Sequence, residues 1–236
     1  MIRTLQVFLT LLATSTLAFA QDDATPAAGS GSAAGEFFDN AGLIGYVIMG
    51  LSIVAVTLII KGVMDIRKDK LAPPEIVDEI EALFEAQDYQ EAIELCESEP
   101  NYFTNVVAAG LPKLNASFEA MEKSLEEMAE EETIKLHAQL SWLSLIAGIA
   151  PMLGLMGTVN GMIGAFRTIA EQKGAATPDQ MAEDISGALI TTFLGLIVAV
   201  PVTAAFVFLR NRVVAYSLEI AAVVEDLFER FRPRAT

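Results

Sequence analysis

The stretch from Trp142 to Phe166 constrains this chain more than any other. It is uncharged and crowded with glycine, with Ala150-Pro151-Met152-Leu153-Gly154-Leu155-Met156-Gly157-Thr158-Val159-Asn160-Gly161 at its centre. Crossing the hydrocarbon core of a bilayer takes roughly 20 apolar residues of helix, and this run is long enough to do so with some tilt. At about 100° per residue, Ala150, Gly154, Gly157, Gly161 and Gly164 fall in one stripe, with Met152, Met156, Val159, Ile163 and Phe166 on the other side. A face without side chains lets another helix backbone approach closely, which is how helices associate where no hydrophobic drive exists. The segment predicts a membrane helix built to pack against other helices.

Three such spans are predicted, over residues 41–61, 141–166 and 185–209. The chain is 53% hydrophobic with a mean hydropathy of +0.46, and its apolar content is concentrated in blocks. Residues 1–20 carry Arg3, an apolar core from Val7 to Leu12 and the small-x-small ending Ala18-Phe19-Ala20; they read as a signal peptide. Residues 21–40, rich in Ala, Gly and Ser up to Gly35, read as a flexible periplasmic tail. Alternating strand patterns are absent. The net charge of −16 excludes nucleic-acid binding, which needs clustered Lys and Arg.

Orientation follows from charge. The first span ends in Lys61, Arg67, Lys68 and Lys70, the third in Arg210 and Arg212, and basic residues beside spans stay cytoplasmic. A cleaved signal likewise leaves residue 21 outside the cytoplasm. Residues 167–184, with Glu171, Asp179, Glu183 and Asp184, suit a periplasmic loop. The predicted fold is thus an all-α integral membrane protein with three transmembrane helices and a cytoplasmic helical region over 62–140. Pro73 and Pro74 open one helix there, Asp88 a second that ends near Pro100. No Pro or Gly interrupts the chain between Ala116 and Ala147, so the second span extends into the cytoplasm as a continuous helix. The third does likewise through a C-terminal helix over 210–236, with Val213, Leu218, Ile220, Val224, Leu227, Phe228 and Phe231 as its apolar positions.

The residues also carry a resemblance. Asp88-Tyr89-x-x-Ala92-x-x-x-Cys96, Gly110-Leu111, Ala150-Pro151-x-Leu153-Gly154-Leu155-x-Gly157-Thr158-Val159-x-Gly161-Met162 and Ala188-Leu189-x-Thr191-Thr192-x-x-Gly195-Leu196-x-Val198-Ala199-Val200-Pro201 resemble the MotA/TolQ/ExbB proton channel family. Three spans with the amino terminus outside are similar to its ExbB/TolQ branch. The resemblance implies an inner-membrane homopentamer around a single-span partner of the ExbD/TolR kind, acting with a TonB-like protein. In that family proton flow drives movement relayed to the outer membrane. By the same resemblance Thr158 and Thr192 match pore-facing threonines, and Gly187 stands where many members carry a glutamate.

The residues bound the mechanism on their own terms. None of the three apolar runs, which cover residues 41–60, 141–166 and 185–209, contains an acid, a base or a histidine, whereas intramembrane proton relays use such groups. The runs supply hydroxyls instead: Thr57, Thr158, Thr191, Thr192 and Thr203. A hydroxyl both donates and accepts, so it can hold water or bind a carboxyl in either protonation state, but it cannot store the proton. If protons pass, the carboxylate comes from a partner. The candidate pathway residues are Thr158, Thr192, Thr191 and Asn160; the candidate packing residues are Gly154, Gly157, Gly161, Gly164 and Gly195. On the third span Ala188, Thr192, Ala199 and Thr203 form the small-residue stripe. The plainer reading of a membrane threonine is a bond to its own helix backbone, and Asn160 fits helix bridging as well as a pore.

Other singular residues point to no chemistry. Cys96 is the one cysteine and reads as a buried apolar residue; His137 sits where the second span begins. The run Glu130-Glu131-Glu132 reads as a solvated helix face, with an acidic vestibule as the alternative. Phosphate loops, nucleophile elbows and metal spacings are absent, so no enzyme activity, metal or cofactor is predicted. The leading expectation is the channel subunit of a proton-driven energy transducer. The alternatives are a small-solute transporter subunit and a structural membrane subunit without ion flow.

Overall fold

The computed structural model describes residues 42–114, 117–172 and 177–231. The predicted signal peptide and tail lie outside them. The described residues are helical and contain no strand. In chain order they form α1 (Gly42–Asp65), α2 (Lys68–Leu71), α3 (Pro74–Ala86), α4 (Tyr89–Ser98), α5 (Tyr102–Gly110), a 3-10 turn (Leu111–Lys113), α6 (Phe118–Glu171) and α7 (Pro178–Glu229). Helices α1, α6 and α7 contain segments long and apolar enough to cross a membrane, with window hydropathies of 2.6, 1.7 and 2.4. The described residues fall into two compact units: one holds those up to Gly50 and those within Ala150–Pro201, the other those within Leu51–Ile149 and those from Val202 onward.

The second unit has an apolar core drawn from every helix it contains. Pro74 takes the first turn of α3, where its missing N–H costs nothing. That helix ends at Gln87, in the left-handed region (φ 61°), whose N–H reaches the carbonyls of Leu83 and Phe84. Asp88 then caps α4, its carboxylate accepting from the Glu91 N–H at 3.2 Å. Ile80 and Phe84 of α3, Ala92 and Cys96 of α4, and Phe228 of α7 are buried. Phe84 meets Tyr89 and Phe228 edge-on, with ring centroids 5.6 and 5.3 Å apart. Burial and Glu97 push the Cys96 thiol up to about 11, so it stays protonated and unreactive at neutral pH.

Between Pro100 and Ser117 the sequence reading places no helix, yet α5 forms there. Its aromatic and β-branched residues have weak helical propensity; a capping box starts it. The Asn101 side chain accepts from the Thr104 N–H at 3.0 Å, and the Thr104 hydroxyl accepts from the Asn101 N–H at 2.8 Å. Tyr102, Phe103, Val106 and Val107 then enter the core. The Tyr102 hydroxyl lies 3.0 Å from both the Ala129 carbonyl and the Thr133 hydroxyl, and the Asn105 amide donates to Glu132 at 3.1 Å. These bonds fix α5 on α6. Glu132, part of the acidic run, therefore has a structural partner as well as an ion pair with Lys135 at 2.8 Å.

Two expectations change. The connection over 167–184 is helical over much of its length, since α6 continues to Glu171 and Pro178 opens α7. An Arg167–Glu171 pair one turn apart, at 2.9 Å, supports the longer α6. At the C-terminal end, Ile220, Val224, Leu227 and Phe228 are buried, but Leu218 is 67% exposed. The buried face there follows Val213, Ile220, Val224 and Leu227 and leaves Leu218 outside it.

Candidate functional site

The first unit contains the glycine-rich part of α6 and the threonine-rich part of α7. These two segments meet backbone to backbone. A Cβ on Gly154 would lie 2.9 Å from the Thr192 Cα and 3.1 Å from the Thr191 carbonyl oxygen. One on Gly157 would collide with the Thr191 hydroxyl, and one on Gly195 would lie 2.6 Å from the Ala150 carbonyl oxygen. Only hydrogen at these positions permits the approach. Gly154, Gly157 and Gly195 are buried, and Gly161 and Gly164, farther along α6, are half-buried. The bulky side of the same helix is open: Met152, Met156, Val159, Ile163 and Phe166 are exposed.

The threonines fall into distinct environments at this crossing. Thr192 is half-buried and donates its hydroxyl across the interface to the Gly154 carbonyl at 2.8 Å. Thr191 is buried and donates to its own helix at Ala188, at 2.7 Å, with the Gly154 carbonyl 3.5 Å away. Thr158 donates to the Leu155 carbonyl at 2.7 Å, and Thr57, on α1, to Ile53 at 2.9 Å. Thr158 lies one turn beyond Gly154 on α6. The structure therefore brings Thr191 and Thr192 to the crossing itself, with Thr158 next to it along α6. Asn160 is exposed and about 200° around the helix from Thr158, so it does not join them.

The buried line of α7 in this unit is Gly187, Ala188, Thr191, Gly195, Val198 and Ala199. Of the predicted stripe, Ala188 and Ala199 are buried, Thr192 is half-buried and bonded to Gly154, and Thr203 is exposed; Thr191, which the stripe leaves out, is the buried threonine. Sequence periodicity cannot separate two adjacent threonines, because the choice depends on which one the facing glycine admits. It also gives no sign that the Gly154 carbonyl is the acceptor for Thr192.

Chemically, the three hydroxyls share a polarity. Each spends its proton on a backbone carbonyl, so its oxygen offers lone pairs to whatever approaches. Such an oxygen accepts from water or from a protonated carboxyl. It can donate to a carboxylate only by releasing its carbonyl. Among the described residues no cluster of His, Cys, Asp and Glu is arranged to hold a metal ion.

A helical membrane protein with a glycine–threonine crossing of two long helices is the class this architecture defines. The model of the MotA/TolQ/ExbB proton channel family matches residues 98–222, and the chain belongs to that family. It is 40% identical over 88 residues to "Biopolymer transport protein exbB1" of Vibrio cholerae, covering 35% of this chain and 39% of that one. A "Putative biopolymer transport protein ExbB homolog" of Methanothermobacter thermautotrophicus is 28% identical over 179 residues, 75% of this chain and 63% of that one. "Tol-Pal system protein TolQ" of Pseudomonas aeruginosa is 34% identical over 92 residues, 39% of each chain. The chain spans less than two thirds of the length of each of these relatives.

Proposed function

We propose that this chain is the channel-forming scaffold subunit of an inner-membrane energy transducer driven by the proton-motive force. In this reading residues 1–20 are a signal peptide, the amino terminus is periplasmic and the carboxyl terminus cytoplasmic. Five copies surround the membrane helix of an ExbD/TolR-like partner, and proton flow moves that helix to power outer-membrane transport or envelope work through a TonB-like protein. Family membership supports the class, and the basic residues after the first and third spans support the orientation.

One observation carries the mechanism. The crossing of α6 and α7 offers hydroxyl oxygens at Thr158 and Thr192, while the apolar runs hold no group that can store a proton. A partner carboxyl reaching these oxygens in its protonated form is accepted at once. Its ionised form meets hydroxyls whose protons are already committed, so deprotonation weakens the contact and releases the helix. Each charge that crosses gains about 2.3 kcal/mol per 100 mV, enough for a few protons to drive a rearrangement. Thr191, buried against Gly157, positions the crossing, and Asn160 serves a helix contact on another face.

Affinity purification of the full chain from its own membranes tests the reading. The expected result is a pentamer by native mass spectrometry that carries a single-span protein with an Asp or Glu in its membrane helix. A stable monomer with no such companion would contradict it.

A further inference from the structure

Within the second unit, α5, α6 and α7 border a cavity of about 360 Å³ that the core leaves unfilled. Its floor is apolar. Val106 of α5, Met121 of α6 and Val224 and Phe228 of α7 line it, and all four are buried. Leu125, half-buried, and Ala221, exposed, line it as well, so apolar surface continues to the opening. The lining runs from Phe118 to Ala129 on α6 and from Ala221 to Glu229 on α7, about 17 and 12 Å of helix. The cavity is therefore a groove between two helices. Two of its walls are seated on α5, where a Cβ on Gly110 would lie 2.6 Å from Leu125 Cδ2 and 3.0 Å from Phe228 Cζ.

The rim has one sign. Glu122 and Glu126 of α6 and Glu225 and Glu229 of α7 are exposed, and among the described residues they are the only ionisable side chains lining the groove. Each pair is one helical turn apart. Like charges at that spacing repel, as Glu122 and Glu126 do, and a cationic occupant replaces that repulsion with attraction. Lys123 does not line the groove and pairs with Glu127 at 3.5 Å. An anionic rim disfavours an anionic lipid, and an apolar floor offers nothing to a bare metal ion. The two together suit a peptide with apolar side chains entering the groove and Lys or Arg beside them. Apolar positions at i, i+4 and i+7 of a helical peptide span about 10.5 Å, within the groove's length. Its volume, near the lower end of ligand pockets, admits a few side chains and not a whole helix.

We propose that this groove docks a basic amphipathic peptide segment of another protein, its apolar side chains on Leu125, Val224 and Phe228 and its cations on the four glutamates. Helix-in-groove recognition has this form, and the site is independent of the proposed proton path. Fluorescence anisotropy tests it, with a labelled synthetic peptide of leucine and lysine (leucine at i, i+3, i+4 and i+7) and full-length protein in phosphatidylcholine nanodiscs. A second peptide with serine for leucine keeps the charge and lacks the anchors. Wild type is expected to bind the leucine peptide and not the serine one. Glu126→Gln with Glu225→Gln weakens binding about fivefold. Ala221→Phe, which fills the groove and keeps its charge, weakens it about tenfold. Glu75→Gln with Glu79→Gln makes the same charge change at exposed positions of α3 outside the groove and leaves affinity unaltered. No binding to wild type, equal binding of the two peptides, an equal loss in the α3 variant or unaltered binding by Ala221→Phe would overturn the proposal. Binding that appears only after residues 232–236 are removed, or only in dissociated monomers, would give the groove to the chain's own basic end or to a second copy, and overturns it too.

Discussion

Leucine at Gly195 is expected to abolish the folded protein, the largest effect of any single substitution in the first unit. A Cβ there would sit 2.6 Å from the Ala150 carbonyl oxygen, 3.3 Å from its carbon and 3.2 Å from the Gly154 Cα. All three are backbone atoms, so no side chain can rotate away. Overpacking a core costs about 1–3 kcal/mol where side chains can adjust; here two helix axes have to separate. Separation also removes the Thr192 bond to Gly154. Gly50→Ala is the matched control, since nothing lies within 4 Å of its added Cβ, and it should hold or gain about 1 kcal/mol of helix propensity. Thermal unfolding monitored in detergent distinguishes them; a Gly195→Leu protein that melts with wild type would remove the backbone crossing. Gly157→Leu should act the same way, because its collision is with Thr191 of the same chain. A defect in that variant would thus report on the subunit's own fold before its assembly.

The second large effect concerns activity. Thr158→Val with Thr192→Val removes two hydroxyls and little volume. Interhelical hydrogen bonds in membranes contribute on average about 0.6 kcal/mol, so losing Thr192 to Gly154 should leave assembly intact. Thr158 donates only within its own helix, and its loss should cost even less. If the two oxygens receive a partner's protonated carboxyl, energised transport should fall to background while expression and oligomeric size stay normal. Thr57→Val, on α1, removes a hydroxyl bonded to Ile53 and should transport like wild type. Full transport by the double variant would reduce both threonines to helix-internal bonds.

The features legible in the sequence are those that depend on composition over a long stretch. The three apolar runs, the uninterrupted passage into α6 and the open face through Met152, Met156 and Ile163 follow from periodicity and from the absence of breakers. The Gly154, Gly157 and Gly195 contacts belong to the same class, because a missing side chain is visible in the letters themselves. What escapes is set by partners distant in the chain. Helix α5 is held on α6 by Tyr102 reaching Ala129 and Thr133, 27 and 31 residues away, and these bonds leave no periodic trace; its Asn101–Thr104 box is local but equally aperiodic. That Thr191 is the buried threonine and Thr192 the half-buried one is a one-residue distinction that the facing Gly157 and Gly154 decide. Leu218, apolar but exposed, shows the same limit in reverse: an apolar letter on a long helix does not say which side is covered.

In the proposed function this chain shapes a proton path but leaves the proton-carrying group to a partner. Proton uptake into liposomes, read by an internal pH dye under an imposed potential, addresses it directly. The chain reconstituted alone should be proton-tight. The complex with its single-span partner should conduct, and changing the partner's membrane carboxylate to the amide should return uptake to the level of empty liposomes. Conduction by this chain alone, or by the complex with the amide, would contradict the account.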